Sequence, residues 1–423
     1  MGYFAEGYDY GMDLSVKFCG LMFENPFLLA SAPPAGTGEM IQRSFKAGWA
    51  GAVTKTLALP KDVPEDVAPR FAAFHTPNER MVGFENIELI TTRQTDIWLK
   101  EIREIKENWP EKVLIVSTMA AGGSEDDWRE LTKLVVDAGA DMIECNLGCP
   151  HGMPERGMGS ICGQDPEIAR SIARWTKMEA GKAPVLMKLT PNVTDPVVIA
   201  QAVREGGADG VSAINTVLCL MGVDVDTFEP QPSVDGRSSY GGYSGPAVKP
   251  IGLRLISQIT KMDGEGRIAM PISGIGGITT WKDAVEYMSL GATTVQLCTA
   301  VMQYGYSIID DLCQGLANYM RSKGFDSVHE IVGRALPNVW MHSHLDLGYV
   351  VKARIDEDTC IKCGRCVVAC DEAAFQAIDW GSGGFPAVQE EKCTGCSLCM
   401  HVCPVINCIS MKRIRGKEVA VPA

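Results

Sequence analysis

The chain has 423 residues, of which 46% are apolar and 22% charged, and its formal net charge is −13 at pH 7. This length suits one large domain with an added module, and the composition is that of a packed globular protein rather than a disordered one. The acidic balance argues against nucleic acid as a partner, because phosphate contacts need clustered Lys and Arg. We find no signal-peptide pattern and no apolar run of about 18 residues, so we expect no membrane segment.

Short apolar runs alternate with longer segments of helical periodicity from Pro26 to Ala300. The runs lie at residues 27–31, 51–56, 113–119, 142–148, 185–190, 210–216, 269–277 and 293–299. Strands separated by helices, such as the helix predicted at 167–181, indicate a parallel sheet. The number of units predicts an α/β fold of the (β/α)8 TIM-barrel type, which needs roughly 250 residues. An open, doubly wound sheet is the alternative, because a count of units does not prove closure. One more helix is predicted at 308–324.

Polar side chains stand where these predicted strands end. They are Ser31, Lys55, Ser117, Asn146, Lys188 and Asn215, followed by the glycines of "SGIGG" at 273–277. Each one alone could be an ordinary surface residue just past its strand. In a barrel, however, all of these strand ends meet at one face, which is the face that carries catalytic residues. The set therefore predicts a polar binding site at that face.

Two glycine-rich loops, at 241–245 and 273–278, would let backbone N–H groups approach a phosphate. A ring of amides, hydroxyls and lysines suits a planar, anionic cofactor. No G-x-G-x-x-G follows a predicted strand, so the dinucleotide fingerprint is absent from the sequence. We therefore predict a mononucleotide such as FMN rather than NAD or FAD.

The cysteines are concentrated near the end of the chain, with eight of the sixteen between Cys360 and Cys403. In the absence of a secretory signal they indicate a reducing compartment, which we take to be the cytoplasm, where clustered cysteines more often hold metal than form disulfides. Their order is Cys360-x2-Cys363-x2-Cys366-x3-Cys370 and then Cys393-x2-Cys396-x2-Cys399-x3-Cys403-Pro404. This is the spacing of bacterial two-cluster ferredoxins, which have an α+β fold and in which the fourth cysteine of each run ligates the other cluster.

The spacing thus predicts two [4Fe–4S] clusters. Cluster 1 is predicted to use Cys360, Cys363, Cys366 and Cys403. Cluster 2 is predicted to use Cys393, Cys396, Cys399 and Cys370. A zinc module is the alternative, although zinc ligands usually come as two spaced pairs. Asp371 stands where the first motif would have proline, and Cys408, outside both motifs, is predicted to pack in the interior.

These patterns divide the chain into five segments. They are an N-terminal extension at 1–12, an FMN-binding barrel at 13–324, a joint at 325–351, a ferredoxin-like module at 352–414 and a tail at 415–423.

Four stretches of the barrel closely resemble dihydropyrimidine dehydrogenases. They are "NLGCPHGMPERGMGSICGQDPE", "KLTPNVTD", "AINTV" and "YGGYSGPAVKPI". With the cysteine module attached, the chain is similar to the FMN and iron–sulfur subunit of the bacterial NAD-dependent members of that family, and its barrel more distantly resembles dihydroorotate dehydrogenases. The resemblance implies an oxidoreductase of pyrimidine catabolism that interconverts uracil or thymine with the 5,6-dihydro forms. It also implies a separate FAD- and NAD(P)-binding iron–sulfur subunit, and a homodimer of this chain within a heterotetramer.

The resemblance implies that Cys149 is the general acid and base at pyrimidine C5, opposite flavin N5, which exchanges a hydride with C6. An unperturbed thiol is mostly protonated at pH 7 and can supply that proton. A small buried hydrophobe is the alternative reading of this cysteine. His151 would be the nearest side chain able to tune it, and Lys188 would lie beside flavin N1 and O2. The family often has serine before the acid cysteine, where this chain has Gly148.

Within the same loop we expect Cys145 to pack, Cys162 has no assigned role, and residues 150–160 are expected to close over the substrate. The resemblance implies pyrimidine contacts from Asn86, Glu88, Asn146, Asn215 and Thr216. It implies FMN contacts from Ala30, Ser31, Lys55, Thr56, Asn146, Lys188, Asn215, Gly245, Gly276, Gly277, Cys298 and Thr299.

Two other functions remain open at this point. A dihydroorotate-type or other cyclic-amide flavin oxidoreductase would be favoured by a basic residue placed for a substrate carboxylate, and the sequence shows no clear candidate. An electron-transfer subunit that carries flavin and iron–sulfur groups without turning over a pyrimidine is the other.

Overall fold

The computed structural model describes residues 10–77, 81–262 and 270–414. The chain divides into two compact units, Met1–Val339 and Trp340–Ala423. In the first unit eight parallel strands close into a barrel, so the predicted (β/α)8 fold is confirmed and the open sheet is excluded. No helix within the described residues is long and apolar enough to cross a bilayer.

All eight predicted barrel strands are present. They are β1 Phe27–Leu29, β2 Gly51–Val53, β3 Val113–Thr118, β4 Met142–Asn146, β5 Val185–Lys188, β6 Gly210–Ala213, β7 Ile272–Ile275 and β8 Thr294–Leu297. Every residue of these strands is buried, because the barrel interior covers one face and the helices cover the other. Closure comes from β8 pairing with β1, in the register Val295 with Phe27 and Leu297 with Leu29. Part of the predicted run at 269–277 precedes β7, and its residue 269 lies outside the described residues.

One long helix follows each strand. They are α1 Gly38–Lys46, α2 Thr95–Asn108, α3 Glu125–Asp137, α4 Pro166–Glu179, α5 Pro196–Glu205, α6 Lys249–Thr260, α7 Trp281–Ser289 and α8 Ile308–Lys323. Local sequence fixes their starts. At α4 the Asp165 carboxylate accepts the N–H groups of Glu167 at 2.8 Å and Ile168 at 3.1 Å, and Pro166 occupies the first position. Thr280 and Asp283 form a capping box at α7.

The loops after β2 and β6 together build a second, antiparallel sheet. Its four strands run in the order Val217–Cys219, Gly241–Ser244, Met81–Asn86 and Phe71–His75. The strand Met81–Asn86 pairs with both a neighbour from its own loop and a strand from the β6 loop. This sheet therefore joins two distant loops next to the carboxyl ends of the barrel strands.

The opposite end of the barrel is covered by the hairpin Val16–Phe18 and Leu21–Phe23. Phe23 packs near Gly51, the first residue of β2, and the Cys19 thiol packs near Gly210, the first residue of β6. Tyr10 and Met12, which belong to the predicted N-terminal extension, pack against the barrel core. Residues 1–9 of that extension and the predicted tail at 415–423 lie outside the described residues.

The predicted joint at 325–351 needs correction. Val328 and Ile331 belong to the core of the first unit and Leu336 is also buried, and the chain up to Val339 belongs to that unit. The mixed polarity of this segment suggested a joint, but its apolar positions 328, 331, 332, 335 and 336 have the spacing of a helix face, and the structure forms the short turns Val328–Glu330 and Leu336–Asn338 there. The joint also overlaps the second unit at its far end, where a strand begins at Val351.

The second unit contains two antiparallel strand pairs and two short helices. Val351–Ile355 pairs with Ile409–Arg413, and Ile378–Trp380 pairs with Pro386–Val388. The helices Arg365–Asp371 and Leu398–Val402 carry cysteines from the two motifs. The small core consists of cysteine, alanine and isoleucine side chains, as in a ferredoxin-like α+β module that depends on its clusters for packing.

Candidate active site

A cavity of about 1140 Å³ opens at the carboxyl ends of the barrel strands. All of the residues predicted for catalysis, pyrimidine binding and FMN binding line it. They are Ala30, Ser31, Lys55, Thr56, Asn86, Glu88, Asn146, Cys149, His151, Lys188, Asn215, Thr216, Gly245, Gly276, Gly277, Cys298 and Thr299. Of the polar strand-end residues, Ser117 lies below the cavity, where its hydroxyl hydrogen-bonds Thr56 at 2.9 Å.

The amide side chains of the cavity hold one another in place. Asn146 donates from Nδ2 to Thr56 Oγ1 at 2.9 Å, and its Oδ1 accepts from Asn215 Nδ2 and from the Gly148 N–H, both at 3.0 Å. Asn215 Oδ1 in turn accepts the Thr216 N–H at 2.8 Å. The strand end of β4 and the loop after β6 are thereby tied together through two amides, which fixes their orientation toward the cavity.

Gly148 stands where the resemblance predicts serine, and the structure gives a physical reason for the glycine. A Cβ atom at residue 148 would lie 2.4 Å from Asn215 Cβ and 2.5 Å from its Nδ2. The Asn215 amide therefore occupies the space that a larger residue at 148 would need. The absence of a side chain at residue 148 leaves room for the Asn215 amide. It also means that no hydroxyl at residue 148 stands next to the Cys149 thiol.

Cys149 is buried, with 8% of its surface exposed, among the apolar side chains of Ala58, Ile90, Met119, Met153 and Met158. Burial raises the pKa of its thiol to about 11, and the positive charges of two cavity lysines oppose part of that rise. The thiol is therefore protonated at neutral pH. Its proton can point to the His151 carbonyl oxygen, 3.5 Å from Sγ.

His151 is also buried, and burial lowers the pKa of its imidazole, so the ring is neutral at pH 7. Nε2 lies 3.0 Å from the Glu88 carbonyl oxygen, while Nδ1 is buried without a hydrogen-bond partner among the described residues. The thiol of Cys149 contacts the backbone of His151 and not its ring. Any influence of His151 on the thiol therefore acts through the loop backbone.

Both lysines that line the cavity, within the described residues, are paired with carboxylates. Lys55 Nζ lies 2.8 Å from Glu88 Oε1, and Lys188 Nζ lies 3.5 Å from Glu144 Oε1. Glu144 is completely buried in the barrel interior. Its Oε2 accepts hydrogen bonds from Ser212 Oγ at 2.8 Å and Gln296 Nε2 at 3.0 Å. Each lysine thus places a positive charge at the cavity, and the carboxylate paired with it balances that charge.

The sequence reasoning missed several functional positions. Glu144 and Gln296 could have been found, because a charged or amide side chain in the middle of a fully buried strand is rare unless the group is paired. The aromatic side chains of Phe71, Phe84 and Tyr243 also line the cavity. They belong to the antiparallel sheet formed by the two long loops, and no local pattern shows that these loops meet.

The residues present fit a flavin mononucleotide. Gly276 and Gly277 have φ values of 123° and 70°, and a Cβ on Gly277 would lie 2.8 Å from the Gly245 carbonyl oxygen. Two loops of bare backbone therefore approach each other closely, as a phosphate-binding site requires. Gln296 Oε1 is buried and has no hydrogen-bond partner in the part of the chain that the structure describes, so it can accept a hydrogen bond from a ring N–H.

The other two cysteines of this region serve packing. Cys145 Sγ lies 3.3 Å from Thr176 Oγ1 behind β4, and burial raises its pKa to about 12. Cys162 is fully buried in the barrel core, with its Sγ 3.5 Å from the Gly157 carbonyl oxygen. The loop between them, expected to close over the substrate, is packed down through the buried side chains of Met153 and Met158.

In the second unit the motif cysteines line two separate cavities. One, of about 330 Å³, is lined by Cys370, Cys393, Cys396 and Cys399. The other, of about 310 Å³, is lined by Cys360, Cys363, Cys366 and Cys403. These groupings are the ones that the motif spacing predicts, with the fourth cysteine of each run crossing to the other set, and four thiols around each cavity fit an iron–sulfur cluster. Cys408, predicted to pack, is buried but also lines the second cavity.

A barrel with this cavity, joined to a module with two cysteine sets, defines a redox enzyme of the flavin and iron–sulfur class. Residues 13–320 match the dihydroorotate dehydrogenase family, and residues 353–411 match the 4Fe–4S dicluster domain family. The chain belongs to the dihydroorotate dehydrogenase family and, within it, to the dihydropyrimidine dehydrogenases.

Similar proteins support that membership. The chain is 44% identical over 407 residues to the NAD-dependent dihydropyrimidine dehydrogenase subunit PreA of Escherichia coli, covering 96% of this chain and 97% of that protein. It is 38% identical over 339 residues to the chloroplastic dihydropyrimidine dehydrogenase (NADP+) of Arabidopsis thaliana, covering 79% of each.

More distant relatives match the barrel. The catalytic subunit of dihydroorotate dehydrogenase B (NAD+) of Pyrococcus abyssi is 36% identical over 325 residues, covering 76% of this chain and 99% of that protein. A crystal structure of dihydroorotate dehydrogenase from Eimeria tenella, in complex with ferulenol, superposes with a TM-score of 0.64 at 22% identity. That match covers 79% of this chain and 91% of the other, and it supports the fold alone.

Proposed function

We propose that this chain interconverts uracil or thymine with 5,6-dihydrouracil or 5,6-dihydrothymine, with Cys149 moving the proton at pyrimidine C5. The observation that carries the proposal is the Cys149 thiol, buried at the edge of a cavity ringed by amides, where burial raises its pKa to about 11. The similarity to dihydropyrimidine dehydrogenases over nearly the whole chain supports the same substrate class.

FMN, when bound, supplies the hydride exchanged with pyrimidine C6, and two [4Fe–4S] clusters pass the electrons singly. Lys188 and Lys55 bring positive charge to the cavity, which stabilises negative charge on a reduced flavin ring. The bare backbone at Gly245, Gly276 and Gly277 would hold the phosphate. The cysteine sets of the second unit would hold the clusters.

Cys149 acts in both directions. In pyrimidine reduction the thiol donates its proton to C5 while C6 receives the hydride, and the C5–C6 double bond is lost. In dihydropyrimidine oxidation the thiolate removes the C5 proton while the hydride leaves C6. Burial favours the protonated thiol, so the chain is better prepared at neutral pH for donating a proton than for accepting one.

The cavity charges favour a neutral pyrimidine over a carboxylated one. Lys55 is paired with Glu88 and Lys188 with Glu144, so the charge of each lysine is already balanced by a carboxylate that would repel a carboxylated substrate. The amides of Asn86, Asn146 and Asn215 each present a donor and an acceptor, which suits the alternating N–H and C=O groups of a uracil ring. A dihydroorotate-type activity is therefore the weaker candidate.

The electrons would be exchanged with NAD(P) on a separate subunit. The Escherichia coli relative is named a subunit of an NAD-dependent enzyme. In this chain the cluster cavities lie in an attached module, as one-electron transfer to another polypeptide requires. We propose an FAD- and NAD(P)-binding iron–sulfur partner, with two copies of this chain in a heterotetramer.

The test is an anaerobic assay of the purified holoprotein, alone and with a candidate partner subunit, against uracil, thymine, orotate and the dihydro forms. We expect dihydrouracil to reduce the bound flavin stoichiometrically, and dihydroorotate to do so far more slowly. Cys149→Ala should keep the flavin spectrum and lose pyrimidine reduction with an artificial electron donor. Full activity of this variant would refute the role of Cys149. A flavin unaffected by any pyrimidine would favour a pure electron-transfer subunit.

A further inference from the structure

Cys408 adds a fifth thiol to one of the two cluster cavities. It lines the cavity of Cys360, Cys363, Cys366 and Cys403, with only 2% of its surface exposed. Within the described residues, the cavity of Cys370, Cys393, Cys396 and Cys399 is lined by no cysteine beyond its own four. The two cavities are nearly equal in size, and a fifth thiol lines only one of them within the described residues.

The two halves of the module allow a direct comparison of this position. Cys408 immediately precedes the strand Ile409–Arg413, and Ala377 immediately precedes the strand Ile378–Trp380. Both are buried, and each lines the cavity that contains the fourth cysteine of the motif preceding it, Cys370 for Ala377 and Cys403 for Cys408. A methyl group on one side of this pseudosymmetric pair therefore corresponds to a thiol on the other.

The backbone hydrogen bonds at the two positions also differ. The Ala377 N–H donates to the Sγ of Cys370, a predicted cluster ligand, at 3.3 Å. The Cys408 N–H instead donates to the Val405 carbonyl oxygen at 3.3 Å. The backbone N–H at residue 377 therefore donates to a predicted ligand sulfur, whereas the backbone N–H at residue 408 donates to a carbonyl oxygen instead.

The Cys408 thiol can replace that missing donor. Its Sγ lies beside the sulfurs of Cys403 and Cys360 and beside the Thr359 hydroxyl, and the Asp356 carbonyl oxygen is 3.7 Å away. A thiol proton rotates about the Cβ–Sγ bond, and a ligating thiolate is a stronger acceptor than a peptide carbonyl. With a cluster present, the Cys403 sulfur is the preferred acceptor.

We propose that the Cys408 thiol donates a hydrogen bond to the Cys403 sulfur and so raises the reduction potential of the cluster in that cavity. The proposal rests on the two clusters of the proposed function, but not on its substrate. Reduction adds negative charge to a cluster, and a hydrogen bond to a ligand sulfur stabilises the more negative form. Cys408 would change the reduction potential of this cluster without being one of its ligands.

The experiment compares the anaerobically reconstituted full-length holoprotein with three variants. Cys408→Ala removes the donor, Cys408→Ser keeps one, and Ala377→Ser adds one to the other cavity as a matched control. Iron and sulfide are quantified, and the midpoint potential of each cluster is measured by redox titration monitored by electron paramagnetic resonance.

We expect Cys408→Ala to keep its full iron content and to lower the midpoint potential of one cluster, and Cys408→Ser to restore part of the difference. Ala377→Ser should raise the potential of the other cluster. Unchanged potentials in Cys408→Ala would overturn the proposal. Loss of iron from both Cys408 variants would also overturn it, because Cys408 would then be required to hold the cluster.

The failure of this proposal and that of the proposed function can be told apart. If the wild-type protein contains both clusters and turns over uracil while the Cys408 variants titrate like wild type, only the present inference fails. If the potentials shift as expected but no pyrimidine reacts, only the substrate assignment fails. A wild-type protein that cannot be loaded with iron would refute both.

Discussion

Under the proposed role of Cys149, the protonation of its thiol would determine how the two directions of the reaction depend on pH. Burial raises its thiol pKa to about 11, so the proton-donating form is present at every pH below that value and is lost as the pH rises through it. At pH 7 a thiol with that pKa is deprotonated in about one molecule in 10⁴. Dihydropyrimidine oxidation, which needs the thiolate, therefore begins from a very small active fraction.

We expect the rate of flavin reduction by dihydrouracil to rise about tenfold for each pH unit from 7 to 10. Uracil reduction with an artificial donor should change little over the same range, because the thiol stays protonated. Anaerobic stopped-flow single turnovers of the two half-reactions, monitored by flavin absorbance, separate them from electron transfer to the clusters. Both rates should be measured on the same preparation at constant ionic strength.

Two variants make the assignment specific. Cys149→Ser should lower both rates on the order of 10²-fold or more, since a hydroxyl is a far weaker acid. Lys55→Met removes a positive charge that opposes the rise in thiol pKa, so its oxidation limb should move to higher pH. An oxidation limb centred near pH 7, or one that persists unchanged in Cys149→Ser, would refute the reasoning.

Three further predictions concern other parts of the chain. Glu144→Gln leaves Lys188 buried without its counter-ion, which should destabilise the protein by about 3 kcal/mol in urea denaturation and raise the flavin midpoint potential; an unchanged potential would show that the pair does not act on the flavin. Gly148→Ser should displace the Asn215 amide and weaken two hydrogen bonds, raising the dissociation constant for uracil by roughly 30-fold in a flavin-perturbation titration, and wild-type binding would contradict this. Cys393→Ser should lose one cluster's signal and retain the other in paramagnetic resonance spectra of the reduced protein, whereas loss of both would show that the clusters assemble together.

The periodicity of the chain was sufficient to predict the barrel strands. Runs such as β3, in which all six residues are buried, read as continuous apolar segments because a parallel barrel covers both faces of each strand. Motif spacing was similarly sufficient for the grouping of the cysteines, since ligands of one cluster must come from positions a few residues apart and from one returning segment. The residues that line the cavity were predicted from the strand ends and from the family resemblance together.

The bounds of the predicted joint at 325–351 were wrong because they depend on packing in the folded protein. Val328, Ile331 and Leu336 have the spacing of a helix face in a segment of mixed polarity, and only their burial in the folded first unit shows that they belong to it. The aromatic side chains of Phe84 and Tyr243 were missed because they come from two loops that are distant in sequence and pair in one sheet. Pairing between distant loops depends on the whole fold and leaves no local pattern.

The sequence by itself therefore determined the barrel and the ferredoxin-like module, and it predicted which cysteines line each cavity of the second unit, because these depend on local period and spacing. Only the tertiary structure decided the charges and contacts inside the site. It paired Lys55 with Glu88 and buried Glu144 beneath Lys188, and it brought the Asn215 amide against Gly148. Such contacts join residues far apart in the chain, and their strength depends on burial, which is a property of the folded protein and not of any segment.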